Sequence, residues 1–190
     1  MTVITDRTVL LPIDMQAAFD DPKWPRRWNK DVDRNGRALL AAWRAAGRPI
    51  IHVRHDSIEP GSTLAPGTSG NAFRPGFEPL PGEPLVTKSV NSAFIGTDLD
   101  LRLKRLRCDK VVVFGITTDM CVSTTVRTGA NMGWEMVLVP EACDCFELPD
   151  GRGGLIPAEQ IHAAHVATLA FEFCELASLA ELTRPEAQAA

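Results

Sequence analysis

The chain has 190 residues, 45% of them hydrophobic and 23% charged, with a net charge of −4, which suits one soluble domain with a real core. No Lys/Arg cluster offsets the acidic balance, so a nucleic-acid or anionic-membrane partner is disfavoured, and no apolar run approaches the ~20 residues that span a bilayer. Five cysteines, an odd number, and a start (MTVITDRTVLLPIDMQ) that runs directly into a strand predict reduced thiols in a cytoplasmic protein without a secretory signal.

Thr8–Ile13 (TVLLPI) reads as a short apolar strand with Pro12 at its end and Asp14 just beyond. The segment DDPKWPRRWNKD, with its prolines, tryptophans and charges, reads as a surface or pocket-rim loop. A helical pattern over 32–46 carries Ala38, Leu39, Ala42 and Trp43 on one face, with Gly47 as its stop. A second strand follows over 50–54, ending at His55. Residues 57–83 are saturated with Gly and Pro. A connection this long is usually functional, and it is expected to act as a lid or pocket wall rather than a domain boundary.

A third strand over 84–87 leads to Lys88. Thr97 or Asp98 then caps a helix with an apolar face of Leu99, Leu103 and Leu106. The run VVVF (111–114) is a fourth strand, broken at Gly115, and Thr117, Thr118 and Asp119 start a helix with Cys121 in its first turn. A fifth strand is expected over 134–139, a loop through EACDCFELPDGRGG, a helix over 158–177 and a last short strand near 178–182. Residues 184–190 read as a frayed tail. This alternation predicts an α/β fold of the three-layer α-β-α, Rossmann-like kind, with helices on both faces of a mostly parallel six-stranded sheet.

Asp14, Lys88 and Cys121 each follow a predicted strand or lie one turn beyond it. Strands of a parallel sheet share one direction, so all three side chains reach the same edge, where open α/β sheets bind ligands. Carboxylate, ammonium and thiol together make a nucleophilic unit that needs no histidine. The helix amino end is expected to favour thiolate, with the charge of Asp119 opposing it. Each residue alone has a plainer reading: a buried thiol, a turn carboxylate, a solvated lysine.

Other side chains carry weaker signals. His162 and His165, three apart on a helix, are expected to be packed rather than metal-binding, and Cys143-x-Cys145 lacks redox spacing. His55, near the sheet edge, is a candidate for touching substrate. Trp24, Trp28, Phe73, Phe77 and Phe94 either line a pocket or fill the core.

Three motifs, LLPIDMQAAF, VTKSVNSAFIGTDL and GITTDMCVSTTVRTG, together with the closing helix IHAAHVATLAFEF, resemble those of the isochorismatase-like cysteine hydrolases over nearly the full length. The resemblance implies a single domain over 1–190. It implies Asp14 as general acid/base, Lys88 as supporting cation and Cys121 as nucleophile. It also implies a cis peptide joining Ile116 to Thr117 and an oxyanion hole from the N–H groups of Thr117 and Cys121. Phe19 matches a ring-contacting position five residues after the acid. Trp24, His55, Phe73 and Phe94 complete the expected pocket.

The nicotinamidases of this superfamily bind a metal through an Asp-x-His pair and a further histidine. The stretch 56–73 holds no histidine, so neither metal nor cofactor is expected, and nicotinamide is a weaker candidate substrate. The expected activity is hydrolysis of a C–N bond in a small amide, ureide or carbamoyl compound through a cysteine thioester. A vinyl-ether (C–O) hydrolase and a non-catalytic α/β binding module are the alternatives. The second is disfavoured because no glycine-rich phosphate loop occurs. By resemblance, the chain is expected to assemble as a homodimer or homotetramer.

Overall fold

In the computed structural model, which describes residues 4–184, six parallel strands are ordered β3-β2-β1-β4-β5-β8. They are β1 (Thr8–Ile13), β2 (His52–His55), β3 (Leu85–Lys88), β4 (Lys110–Ile116), β5 (Met136–Asp144) and β8 (Glu175–Leu176). The helices are α1 (Val32–Ala45), α2 (Leu99–Arg105), α3 (Ser123–Asn131), α4 (Ala158–Glu172) and α5 (Leu179–Leu182), and a small hairpin pairs β6 (Leu148–Pro149) with β7 (Leu155–Ile156). The order reverses direction at β1. The β1-α1-β2 crossover steps one way along the sheet and β4-α3-β5 the other, so right-handed connections place α1 and α3 on opposite faces. Accordingly α1 packs against α5, and α3 against α4.

Strands β1 and β4 are buried along nearly their whole length, as expected for apolar strands covered on both faces. Trp43 of α1 is fully buried and its indole N–H donates to the Thr8 carbonyl at 3.1 Å, tying helix to sheet. Gly36 lets α1 approach closely. A Cβ there would lie 2.8 Å from the rings of both Phe77 and Phe114. Phe77, from the long connection, is therefore core rather than pocket.

Five expectations need correction. Pro12 lies inside β1, a central strand. The Leu10 and Asp14 amides donate to Pro49 and Val53 on the β2 side, and Pro12 has no N–H to offer between them. The β1–β2 ladder is accordingly sparse, while β1 pairs with β4 residue by residue. Gly115 does not end β4 but sits within it at φ +143°, against the Ile13 backbone, where the pairing to β5 also shifts register. Strand β5 continues past Val139 to Asp144.

Finally, the expected helix over 158–177 stops at Glu172. The sixth strand is Glu175–Leu176, and the segment read as a last strand is α5. Ser178 and Glu181 form a reciprocal capping box that starts this helix. The frayed tail expected over 184–190 lies, beyond Arg184, outside the described residues. No helix among the described residues is long and apolar enough to cross a membrane.

Gly115→Ala places a methyl 2.0 Å from the Ile13 carbonyl oxygen in a backbone conformation that L side chains rarely adopt. The expected cost is roughly 3 kcal/mol or more, read by urea unfolding. A loss under about 1 kcal/mol would contradict this close approach.

Candidate active site

Asp14 is the first residue after β1. It adopts φ +52°, a turn conformation open to Asp, and its amide donates to Val53. Lys88 ends β3 and is in register with His55, which ends β2. Cys121 does not lie in an ordinary first helical turn. Thr118–Val122 form a π turn, with the Val122 amide bonded to the Thr117 carbonyl, before α3 begins at Ser123. Such wide turns recur at functional sites. The Ile116–Thr117 peptide just before it is cis.

These elements bring all three expected side chains together. The Lys88 ammonium, which is buried, lies 2.6 Å from Asp14 Oδ2, 2.9 Å from His55 Nδ1 and 3.3 Å from Cys121 Sγ. Two of its three hydrogens have hydrogen-bond acceptors in His55 and Cys121, and Asp14 meets the ammonium as an ion pair. Asp14 is fully buried, and Lys88 supplies the charge that meets it, since neither carboxylate oxygen has a well-aligned donor of its own. Donor atoms of Asp14, His55 and Cys121 lie within 4.8 Å of one another, the one set among the described residues close enough to grip a metal ion. The Lys88 ammonium contacts all three, so a positive charge already occupies the centre of that set.

The electrostatics revise the expected thiolate. Burial pushes the Cys121 thiol far above its ordinary value, the negative charge of Asp14 pushes it further, and Lys88 pulls it down without reversing the balance. At rest the sulfur is a thiol, and Asp14 is the main charge that opposes its ionisation. Burial and the neighbouring ammonium push the His55 imidazole below its ordinary value. A neutral ring accepts at Nδ1 and carries its proton on Nε2.

Beside the sulfur lies a cavity of about 300 Å³. Its apolar side includes Phe19, Trp24, Leu64, Met120, Phe146 and Leu148, with Trp24 and Phe146 stacked at 5.0 Å. Its polar residues are His55, Asn91, Thr117, Asp119 and Cys121. Of the five expected pocket residues, Phe19, Trp24 and His55 line this cavity. Phe73 instead packs edge-on against His52, and Phe94 is buried against α3 beside Gly129. The long connection contributes only Leu64 to this lining. Its other contacts lie elsewhere: Asn71 bonds to His55, Asp56 and Leu64, and Gln16 bonds to His55 and Asn71.

Asn91, Leu64 and Phe146 are among the cavity residues that the sequence reading missed. Asn91 lies within the Lys88 motif and its side-chain oxygen is 3.9 Å from Cys121 Sγ. The other two carry no signal in their residue type.

The turn bearing Cys121 is braced from behind. Thr118 Oγ1 bonds to the Asp144 carbonyl and to His162 Nδ1, and His162 packs on Trp28 at 4.7 Å. Asp144, buried and pushed up to about 6 by burial, accepts from the amides of Asn29 and Cys145, tying the rim segment to β5. All five cysteines are unpaired.

An isochorismatase domain model matches residues 8–181. The uncharacterised isochorismatase-family protein YrdC of Bacillus subtilis is 36% identical over 177 residues, 93% of this chain and 95% of that protein. A crystal structure of an isochorismatase-family protein from Chromobacterium violaceum superposes with a TM-score of 0.92 at 41% identity, covering 96% of this chain and 95% of that one. Streptothricin hydrolase of Streptomyces noursei is 35% identical over 145 residues, 76% of this chain and 57% of that protein.

Because the charge of Asp14 holds the Cys121 thiol up, Asp14→Asn lowers the pH at which the sulfur ionises. Alkylation of Cys121 by iodoacetamide, followed by peptide mass at several pH values, is expected to be faster in the variant than in the parent protein. Stability falls by ~3–5 kcal/mol as Lys88 loses its buried counter-ion. Equal or slower alkylation of folded variant contradicts the assignment of Asp14 as the opposing charge.

Proposed function

This chain belongs to the isochorismatase family of hydrolases, and from that premise we propose that it hydrolyses the C–N bond of a small amide through a thioester on Cys121. The observation that carries the reading is the contact of one buried ammonium with a carboxylate, a neutral imidazole and a thiol at the wall of a cavity.

In the proposed cycle Asp14 takes the Sγ proton as the sulfur attacks the amide carbon. The proton thus moves from a thiol that resists ionisation at rest to a carboxylate within 4.8 Å. Lys88 stays positive throughout and offsets whichever of the two groups is anionic. The developing oxyanion is received by the N–H groups of Thr117 and Cys121. Collapse breaks the C–N bond while protonated Asp14 passes its proton to the departing amine. Asp14 then accepts a proton from water as the water oxygen attacks the thioester carbon; the C–S bond breaks, the acid is freed, and Asp14 returns the proton to the departing sulfur, restoring the thiol. No step requires a metal ion or an organic cofactor.

The substrate is a small molecule. The apolar lining of the cavity suits an amide with a flat hydrocarbon body better than a polar ureide. Assembly as a homodimer or homotetramer is part of the same proposal.

Cys121→Ala and Lys88→Ala are each expected to lower kcat/KM at least about a thousandfold. Brief incubation of the parent protein with an activated amide should add one acyl mass to the Cys121 peptide. Near-parental turnover by Cys121→Ala would instead favour a C–O hydrolase in which the thiol is incidental.

A further inference from the structure

Buried polar atoms in folded chains nearly always find a partner, so several orphans on the residues around one cavity need an account. Three of the residues lining the cavity carry such an atom: Trp24 Nε1, Thr117 Oγ1 and Asp119 Oδ1 are all shielded from solvent and unbonded. Trp24 offers only a donor and Asp119 only an acceptor when ionised, while Thr117 offers both. Thr117 is itself almost wholly buried. The rest of the wall is largely apolar, so nothing there compensates these atoms.

Asp119 stands out because its orphan carries negative charge. It lies two residues before Cys121 in the π turn and lines the same cavity. No Lys or Arg lines that cavity among the described residues. Lys88, the nearest buried ammonium to the sulfur, is already held by an ion pair to Asp14 and hydrogen bonds to His55 and Cys121. Asp119 is half-buried, and within the cavity only a substrate can bring a cation to it.

We propose that Asp119 is a specificity-determining residue that selects amides whose flat apolar body carries a cationic nitrogen donor away from the scissile carbonyl. This inference rests on the amide-hydrolase reading and names its substrate class. The carbonyl faces Cys121, the apolar body lies along Trp24 and Phe146, and the nitrogen donates to Asp119. The contact is charge-assisted, which makes it stronger than a neutral hydrogen bond.

A binding experiment that needs no turnover tests this. The probes are para-(aminomethyl)benzamide, protonated at neutral pH, and its near-isostere para-methylbenzamide, titrated calorimetrically into Cys121→Ala protein. The cationic amide is expected to bind about tenfold tighter or more. Adding Asp119→Asn, or Asp119→Ala should the first variant fold poorly by circular dichroism, is expected to bring the ratio close to one. Equal affinities in the Cys121→Ala protein, a preference that survives loss of Asp119, or binding of neither probe would each overturn the proposal. Failure of the amide-hydrolase reading is seen separately, as absence of turnover and of a Cys121 adduct in the parent protein.

Discussion

The site is organised around one buried ammonium. Burying a lone lysine is costly, because its charge loses the hydration that water supplied. Lys88 meets that cost with one full counter-charge, Asp14 at 2.6 Å, and two further acceptors, His55 and Cys121. The same arrangement fixes the state of each neighbour. A proton acceptor is required at His55 Nδ1, so the imidazole is neutral. With Asp14 ionised beside it, the sulfur keeps its proton at rest. The site therefore holds one positive and one negative charge before substrate arrives, and moving a proton from sulfur to carboxylate leaves that sum unchanged.

The fold exists, in this respect, to deliver strand ends. β1, β2, β3 and β4 run parallel, so Asp14, His55, Lys88 and the turn after Ile116 emerge on one edge. The reversal of strand order at β1 opens the crevice there. Gly115, pressed against the Ile13 backbone, keeps β4 close to β1 just before that turn. Behind it, Thr118 links the turn to Asp144 and His162, so the position of Cys121 depends on β5 and α4 as well as on its own helix.

Much of this was legible in the sequence, for a physical reason. Apolar runs that end in Asp, His or Lys declare where a strand leaves the core, and a parallel sheet aligns those ends. Asp14, Lys88 and Cys121 were readable in that way. The local surprises came from interactions that residue type does not encode. Gly115 reads as a breaker, yet it is needed inside a strand because another backbone approaches it. The Ser178–Glu181 capping signature was present in the sequence but competes with an apolar pattern equally suited to a strand. Phe73 and Phe94 are as aromatic as Phe19 and Phe146, and only packing decides which of them face the cavity. The chemical state of the thiol was also beyond composition, because burial and a neighbouring carboxylate outweigh the pull of Lys88.

The central claim is that a single charged Lys88 ties together Asp14, a neutral His55 and a protonated Cys121. Its most direct test is NMR of the His55 ring nitrogens in the resting protein at neutral pH. The account predicts a neutral ring with its proton on Nε2 and an accepting Nδ1, an arrangement lost in Lys88→Met. An imidazolium, or a ring with its proton on Nδ1, would contradict it, because neither could accept from the ammonium.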